Sequence, residues 1–438
     1  MINELRQIVD HSPMSLRQSC IVALCVFLIS LDGYDVLSIS FAAPGIAEEW
    51  GINRAALGVV LSMELIGMGL GAFVLGGIAD RIGRRPIVLF SLCVMTLGMY
   101  GAAVAQTIAM LCMVRLFTGL GIGGVLAAIS AMSAEFSNLK NRNFCVSLMA
   151  TGYPLGVIIG GTVASVLLTN FDWRAVFLFG AMITFFAIPL TWYLLPESIS
   201  FLDQRRPHRA FERINKTLKH IGKAPIAALP VPEQSQKTVG ISRLFQADLI
   251  KPTTLLTIAY FTHMMTFYYI MKWIPKLVVD MGFPPTLSGS VLVWANVGGI
   301  SGCIMLSLLT HRISTQKLVI IALLLSAISV TLFGLKYHSI AELSIVTAAI
   351  GFFTNASIVG LYAIIARAFP TEVRAGGTGF ILGVGRAGAV CGPIAAGFLL
   401  QSGMGSLFTA SMVMACGSII AAFAIFSMPK VGNKSDEK

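Results

Sequence analysis

The chain has 438 residues, of which 56% are hydrophobic and only 12% are charged, and its mean hydropathy is +0.82. Water cannot solvate such a chain as a globule, so the composition excludes a soluble enzyme and an intrinsically disordered protein. Its apolar content suffices for roughly a dozen membrane spans of about 20 residues each. The net charge of +11 is explained below by membrane topology, so nothing separately supports nucleic acid as a partner.

Long apolar runs separated by short polar hinges predict twelve transmembrane helices. They cover 20–42, 55–79, 86–106, 108–134, 143–168, 174–195, 253–278, 286–310, 316–336, 341–367, 374–402 and 405–428. A lipid-exposed backbone must satisfy its own polar groups, and these runs lack the two-residue alternation of barrel strands. The sequence therefore predicts an all-α membrane protein in contact with the lipid bilayer, with both termini on the same side.

Basic residues are unevenly divided between the two predicted sides of the membrane. Twenty-four of the 31 Lys and Arg residues lie on the side of the termini. The five on the opposite side are Arg54, Arg174, Lys272, Lys276 and Lys336. Since positive loops stay in the cytoplasm, we expect both termini to be cytoplasmic in a multi-pass protein of the bacterial inner (plasma) membrane.

One long polar segment, 196–252, interrupts the series of helices. It is rich in Arg, Lys and Pro, and it predicts a division into an N-terminal six-helix bundle over 1–195, a cytoplasmic linker and a C-terminal six-helix bundle over 253–438. A weak internal repeat supports this division: Asp-Arg-Ile-Gly at 80–83 aligns with His-Arg-Ile-Ser at 311–314. Both tetrapeptides lie between the second and third helix of their half, as a parallel transporter repeat requires.

The turn between the second and third helices carries the most specific motif. Residues 76–86 read Gly-Gly-Ile-Ala-Asp-Arg-Ile-Gly-Arg-Arg-Pro, and helix 4 contains Arg115-x-x-x-Gly-x-Gly-x-Gly. Both segments resemble motifs of the major facilitator superfamily. In that superfamily the aspartate of the turn belongs to a charge network that holds the two halves together in one state, which implies this role for Asp80, with Arg84 as a candidate partner. The implied gating residues are Gly76, Asp80, Gly83 and Arg84. The alternative is that the arginines of the turn only anchor the topology.

Two carboxylates lie within the first predicted span. Asp32 and Asp35 are three residues apart, hence on one helical face. Intramembrane acids usually face a water-filled path or a partner, and they couple ions or contact substrate. Arg115 is predicted at the same depth as Asp35 and could pair with it, which leaves Asp32 as the better candidate for the proton carrier, although the two acids could share one proton. A static ion pair of Asp35 with Arg115 is the alternative.

The segments around these acids and around a glycine-rich helix 11 resemble a narrower family. Leu31-Asp-Gly-Tyr-Asp-Val36 and Gly385-Arg-Ala-Gly388 are similar to the aromatic acid:proton symporter family, whose members import benzoate-like and hydroxybenzoate-like carboxylates into bacteria. The glycine-proline motif associated with antiporters is broken in helix 5, which favours symport. The second-half turn has His311 where the first-half turn has Asp80, so a charge network at that turn must differ in strength or be absent.

A single cation near the middle of helix 11, Arg386, is the candidate anchor for a substrate carboxylate, because its planar fork matches a carboxylate. The alternative is a permanent ion pair, with Glu64 as the candidate partner. His263 could contact substrate or relay protons, and it could equally form a hydrogen bond to a neighbouring helix. The further candidate substrate-binding residues are Arg115, Tyr34, Phe267, Tyr268 and Trp294, and the alternative for each aromatic one is ordinary packing.

Together these features predict a proton-coupled symporter that imports an aromatic carboxylate by alternating access. The partners are then a small aromatic carboxylate, a proton and the bilayer, and we expect a monomer. No nucleotide-binding loop of the Walker type is present, and the eight cysteines form no Cys-x-x-Cys pair, so we expect no ATP-driven pump, no cofactor and no metal site. The alternatives are a symporter for another organic acid, such as muconate, a dicarboxylate or a sugar acid, then an exporter or a transporter-like membrane sensor.

Overall fold

The computed structural model describes residues 4–229, 241–247, 249–370, 373–402 and 406–428. Within these residues the chain forms fifteen α-helices and one short 3-10 helix, Ile241–Phe245, and no strand. The part of the predicted linker at 230–240 and 248, and the basic tail from residue 429, lie outside the described residues.

The first nine helices precede the 3-10 helix. They are α1 Glu4–Asp10, α2 Leu16–Trp50, α3 Arg54–Ile82, α4 Arg84–Ala103, α5 Ile108–Glu135, α6 Arg142–Asn170, α7 Arg174–Leu194, α8 Ile199–Arg205 and α9 Ala210–His220. The other six follow it. They are α10 Ile250–Asp280, α11 Pro285–Leu309, α12 Thr315–Phe333, α13 Ile340–Ala368, α14 Arg374–Gln401 and α15 Leu407–Phe426.

Eleven of the described helices are long and apolar enough to cross a membrane, and each corresponds to a predicted span. The remaining predicted span, 253–278, corresponds to the 31-residue helix α10. This helix is long enough to cross a membrane but is not among the eleven. Its hydropathy is lowered by charged and polar side chains, among them Lys251, His263, Lys272, Lys276 and Asp280. The predicted all-α membrane fold is confirmed.

The described chain divides into two compact units. Unit 1 comprises Met1–Val36, Gly67–Ile159 and Arg174–Gln236, and unit 2 comprises Leu37–Ile66, Gly160–Trp173 and Lys237–Lys438. The boundaries fall inside α2, α3 and α6, so these units differ from the two halves of the chain predicted on either side of 196–252. The predicted six-plus-six division therefore stays a prediction about the chain.

Close packing of α10 on α14 organises unit 2. A Cβ added at Gly388 would lie 2.3 Å from the carbonyl oxygen of Phe261, and one added at Gly392 would lie 2.4 Å from that of Met265. Only glycine permits two backbones to approach so closely. The glycine-rich sequence of α14 thus holds Arg386 beside α10.

Candidate functional site

The two predicted intramembrane acids lie inside unit 1. Asp32 and Asp35 on α2 are both buried, and so is Arg115 on α5. The Arg115 guanidinium donates a hydrogen bond of 2.8 Å to the backbone carbonyl of Asp35 and lies over the ring of Phe177, 5.4 Å from its centroid. The structure therefore brings Arg115 and Asp35 together, as the depth of the two residues predicts.

Tyr34 lies between the two acids in the chain and contacts α7. Its hydroxyl donates a 2.5 Å hydrogen bond to the carbonyl of Val176, and its ring meets Phe179 edge to face at 5.7 Å. These contacts match the packing alternative for Tyr34 better than direct contact with substrate. We refer to Asp32, Tyr34, Asp35 and Arg115 as the acidic cluster.

Arg386 lies in unit 2 among aromatic side chains. It is half-buried, and it interacts electrostatically with Tyr260 and Tyr268 of α10. The Tyr260 hydroxyl is 3.1 Å from that of Tyr362, and Phe267 packs edge to face on Tyr268 with ring centroids 5.2 Å apart. Within the part of the chain that the structure describes, Arg386 makes no ion pair. An unpaired guanidinium beside aromatic rings has the chemistry to bind a flat carboxylate.

A second cation, missed as a site residue by the sequence analysis, lies one helical turn from Tyr268. Lys272 was assigned to the sparsely charged side of the membrane, whereas the structure buries it fully in an ion pair with Glu64, 3.4 Å from Nζ to Oε2. Glu64 was the candidate permanent partner of Arg386, and the structure pairs it with Lys272 instead. The available signal was the spacing of Tyr268 and Lys272, which places both on one face of α10.

Within the described residues, neither His263 nor Trp294 makes a hydrogen bond or an ion pair with Arg386, the predicted substrate anchor. Both ring nitrogens of the fully buried His263 are engaged, Nδ1 with the Ser418 hydroxyl at 3.0 Å and Nε2 with the Thr354 carbonyl at 3.1 Å. This geometry favours the helix-to-helix alternative for His263. Trp294 on α11 is 50% exposed.

The predicted gating turn is reduced to one residue, Gly83, which links α3 to α4. Its backbone φ of +114° is a conformation that residues other than glycine rarely adopt. The Glu197 carboxylate accepts hydrogen bonds from the backbone amides of Arg84 at 2.9 Å and Arg85 at 3.3 Å. An acid at a helix N-terminus satisfies unpaired amides and complements the helix dipole.

In this structure Arg84 pairs with a carboxylate other than Asp80, its candidate partner from the sequence. Arg84 pairs with Glu135 at 2.6 Å, and Glu135 also accepts hydrogen bonds from the Ser198 hydroxyl at 2.7 Å and the Ser200 amide at 2.5 Å. Asp80 is exposed, and its backbone carbonyl accepts a hydrogen bond from Arg205. Buried Glu135 at the end of α5 offers the Arg84 guanidinium a desolvated partner, which an exposed carboxylate does not.

Two acids central to this network, Glu135 and Glu197, were not singled out from the sequence. Each lies at the end of a predicted span, where an acid is normally solvated. Glu135 is buried in the structure, where Arg6 of α1, Arg84 of α4 and Ser200 of α8 contact it. Gly76 has only an ordinary van der Waals neighbour, Ala127 at 3.5 Å from an added Cβ, so packing does not require a glycine there.

Buried charged side chains within long apolar helices, such as Asp32, Asp35 and Arg115, are typical of a multi-pass membrane transport protein. The family model of the Major Facilitator Superfamily matches residues 22–319 and 256–438. The chain therefore belongs to the major facilitator superfamily.

Curated relatives align with nearly the whole chain. A gallate transporter of Pseudomonas putida is 29% identical over 429 residues, covering 97% of this chain and 94% of that protein. The 4-hydroxybenzoate transporter PcaK of Pseudomonas aeruginosa is 28% identical, covering 89% of this chain and 88% of that protein.

A solved structure shares the fold. The partially occluded inward-open conformation of the xylose transporter XylE from E. coli matches with a TM-score of 0.73, over 96% of this chain and 100% of that chain, at 14% identity.

Proposed function

We propose that the protein is a proton-coupled symporter that imports an aromatic monocarboxylate across the bacterial inner membrane. The observation that carries the proposal is the half-buried Arg386 guanidinium near Tyr260 and Tyr268, without an ion-pair partner in the described chain. A cation in this setting needs an anion, and aromatic walls favour a ring attached to it.

The named substrates of the relatives support this choice of cargo. Gallate and 4-hydroxybenzoate are both ring carboxylates, and both relatives align along nearly their full length. In the proposed complex the substrate carboxylate receives hydrogen bonds from Arg386 while the ring lies against Tyr268. The hydroxyl groups of Tyr260 and Tyr268 could form hydrogen bonds with substituents on the substrate ring.

The acidic cluster supplies the proposed proton site. Asp32 and Asp35 are buried side by side on α2, where two ionised carboxylates repel each other and one proton relieves the repulsion. Arg115 lies against Asp35, so Asp32 is the proposed carrier. Importing a lone anion against an inside-negative potential costs about 2.3 kcal/mol per 100 mV, whereas an anion together with a proton moves no net charge.

The distribution of basic residues supports placing both termini and the α3–α4 turn in the cytoplasm. The network around Arg84, Glu135 and Glu197 then lies at the cytoplasmic end of unit 1. We propose that it stabilises one state of the alternating-access cycle. Asp80, exposed beside it, is available as a partner in another state.

A ligand panel on the purified protein tests the proposed cargo. Benzoate, hydroxybenzoates, vanillate, phenylpropionates and muconate are added separately, and the shift in thermal unfolding is measured. A ring monocarboxylate should stabilise the wild-type protein and should not stabilise Arg386→Ala. If muconate alone stabilised the wild-type protein, the cargo would be a different organic acid. If Arg386→Ala bound the aromatic acids with unchanged affinity, the anchor would lie elsewhere, with Arg115 the next candidate.

A further inference from the structure

The α3–α4 turn contains three arginines, and their side chains lie in three different surroundings. Arg81 is exposed, and Arg84 is paired with Glu135. Arg85 is half-buried, and Glu197 accepts a hydrogen bond from its backbone amide only. Its guanidinium makes no ion pair with any residue that the structure describes. Arg85 therefore has a positive charge that the network around Glu135 and Glu197 does not use.

The end of α7 holds the Arg85 guanidinium in a fixed orientation. Nη2 donates a hydrogen bond of 2.6 Å to the backbone carbonyl of Trp192, and the guanidinium lies over the indole ring, 5.2 Å from its centroid. Nε is buried and has no hydrogen-bond partner in the described chain. A guanidinium that is stacked on an aromatic ring keeps its remaining donors for an anion. Because it is already ordered, binding costs little side-chain entropy.

Aromatic side chains mark the membrane surface at this point of the molecule. Trp192 is 65% exposed and Tyr193 is 78% exposed, and both lie in the last turn of a helix that is long and apolar enough to cross a membrane. Tryptophan and tyrosine are enriched where a membrane helix passes the lipid headgroups. Arg85, in contact with Trp192, is therefore placed at the level of the headgroups.

The exposed face of α7 that leads to these aromatic residues is apolar. Met182, Phe185, Phe186 and Leu190 are all large and between 44% and 64% exposed. Their spacing of three to four residues places them along one side of the helix. Exposed apolar side chains on a membrane helix are covered by acyl chains. A lipid on this side of α7 therefore has its headgroup at the end of the helix, beside Arg85.

We propose that Arg85, Trp192 and Tyr193 bind the phosphate of an anionic phospholipid, whose acyl chains lie along the exposed side of α7. We call these three residues the headgroup site, and all three belong to unit 1. The free N–H groups of Arg85 donate to the phosphate oxygens, and the exposed indole N–H and phenol hydroxyl supply further donors. A zwitterionic headgroup brings its own ammonium group, which competes with Arg85 for the phosphate, so an anionic headgroup is preferred.

Quenching of Trp192 fluorescence by brominated lipids measures this binding. The protein is reconstituted in phosphatidylcholine bilayers with a minor fraction of brominated phosphatidylglycerol or of brominated phosphatidylcholine, the bromine lying near the headgroup. The chain has five tryptophans, so the Trp192 signal is the difference between each protein and its Trp192→Phe counterpart. The readout is the ratio of quenching by the two lipids, which does not depend on the amount of folded protein.

We expect brominated phosphatidylglycerol to quench Trp192 of the wild type more strongly than brominated phosphatidylcholine. Arg85→Gln should reduce this preference by about fivefold, as expected for the loss of one cation at an anionic surface. Arg81→Gln is the matched control, because it removes the same charge from the same turn. Since Arg81 is exposed and solvent screens its charge, this variant should reduce the preference less.

Three outcomes would overturn the proposal. Equal quenching by the two lipids in the wild type would do so without any variant. An equal reduction in Arg81→Gln and Arg85→Gln would show a general attraction of the basic surface instead of a site. Glycerol 3-phosphate added in solution should leave the preference unchanged, and a loss of preference would assign the three residues to a soluble phosphate ester. The test involves no cargo, so its failure would leave the proposed function standing.

Discussion

Replacing Gly83 by alanine tests the structure of the α3–α4 turn. Two separate costs follow from the geometry. Gly83 has φ of +114° and ψ of +156°, and the added Cβ would lie 2.4 Å from Oε2 of Glu197. Alanine therefore strains the backbone and also pushes the carboxylate away from the first amides of α4.

The magnitude of each cost can be set from the structure. A non-glycine residue held in this backbone region costs about 1–3 kcal/mol. Loss of a helix N-cap costs about 0.5–2 kcal/mol. The Glu197 carboxylate serves as such a cap for Arg84 and Arg85. We therefore expect Gly83→Ala to reduce the free energy of unfolding by roughly 1.5–5 kcal/mol, the sum of these two costs.

Gly77 in the same motif is a matched control. It lies inside α3, and an added Cβ there meets no atom within 4 Å. Alanine is favoured over glycine in a helix by about 0.5–1 kcal/mol, so Gly77→Ala should unfold at the wild-type temperature or above it. The measurement is thermal unfolding of the purified proteins in one detergent. The reasoning fails if Gly83→Ala is as stable as Gly77→Ala.

The other contacts give two further predictions. Arg84→Met leaves Glu135 buried without its cation and should lower the free energy of unfolding by about 1–3 kcal/mol. Adding Glu135→Gln to Arg84→Met should recover part of this loss, and an additive double variant would contradict the ion pair. His263→Ala removes the hydrogen bonds to Ser418 and Thr354 and should cost about 1–3 kcal/mol, with the affinity for 4-hydroxybenzoate changed by less than about twofold. A large loss of affinity at unchanged stability would return His263 to the substrate site.

The sequence predicted the helices well because apolar length is sufficient to specify a membrane span. Eleven of the twelve predicted spans end within three residues of the observed helices. The first helix is longer than predicted: α2 runs from Leu16 to Trp50 and contains Pro44. The polar beginning and end of α2 have low hydropathy. Leu16, Arg17, Glu48 and Glu49 in these ends are exposed, and a hydropathy window detects the apolar run but not a helix that continues beyond it.

The sequence predicted the candidate site in part. The contact between Asp35 and Arg115 could be predicted, because the depth of a residue in the membrane follows from its position along a straight helix, at 1.5 Å per residue. The pairs Arg84–Glu135 and Lys272–Glu64 were missed. Which carboxylate a buried cation meets depends on helix rotation and packing, and no spacing along the chain reports either.

Proton-driven accumulation is the central claim, and reconstituted vesicles test it most directly. Uptake of labelled 4-hydroxybenzoate is followed with the outside acidic, with and without an ionophore that collapses the pH difference, for wild type and Asp32→Asn. We predict that wild type concentrates the acid only while the pH difference lasts, and that Asp32→Asn exchanges labelled for unlabelled acid without concentrating it. Equal accumulation by wild type after the pH difference is removed would contradict the account.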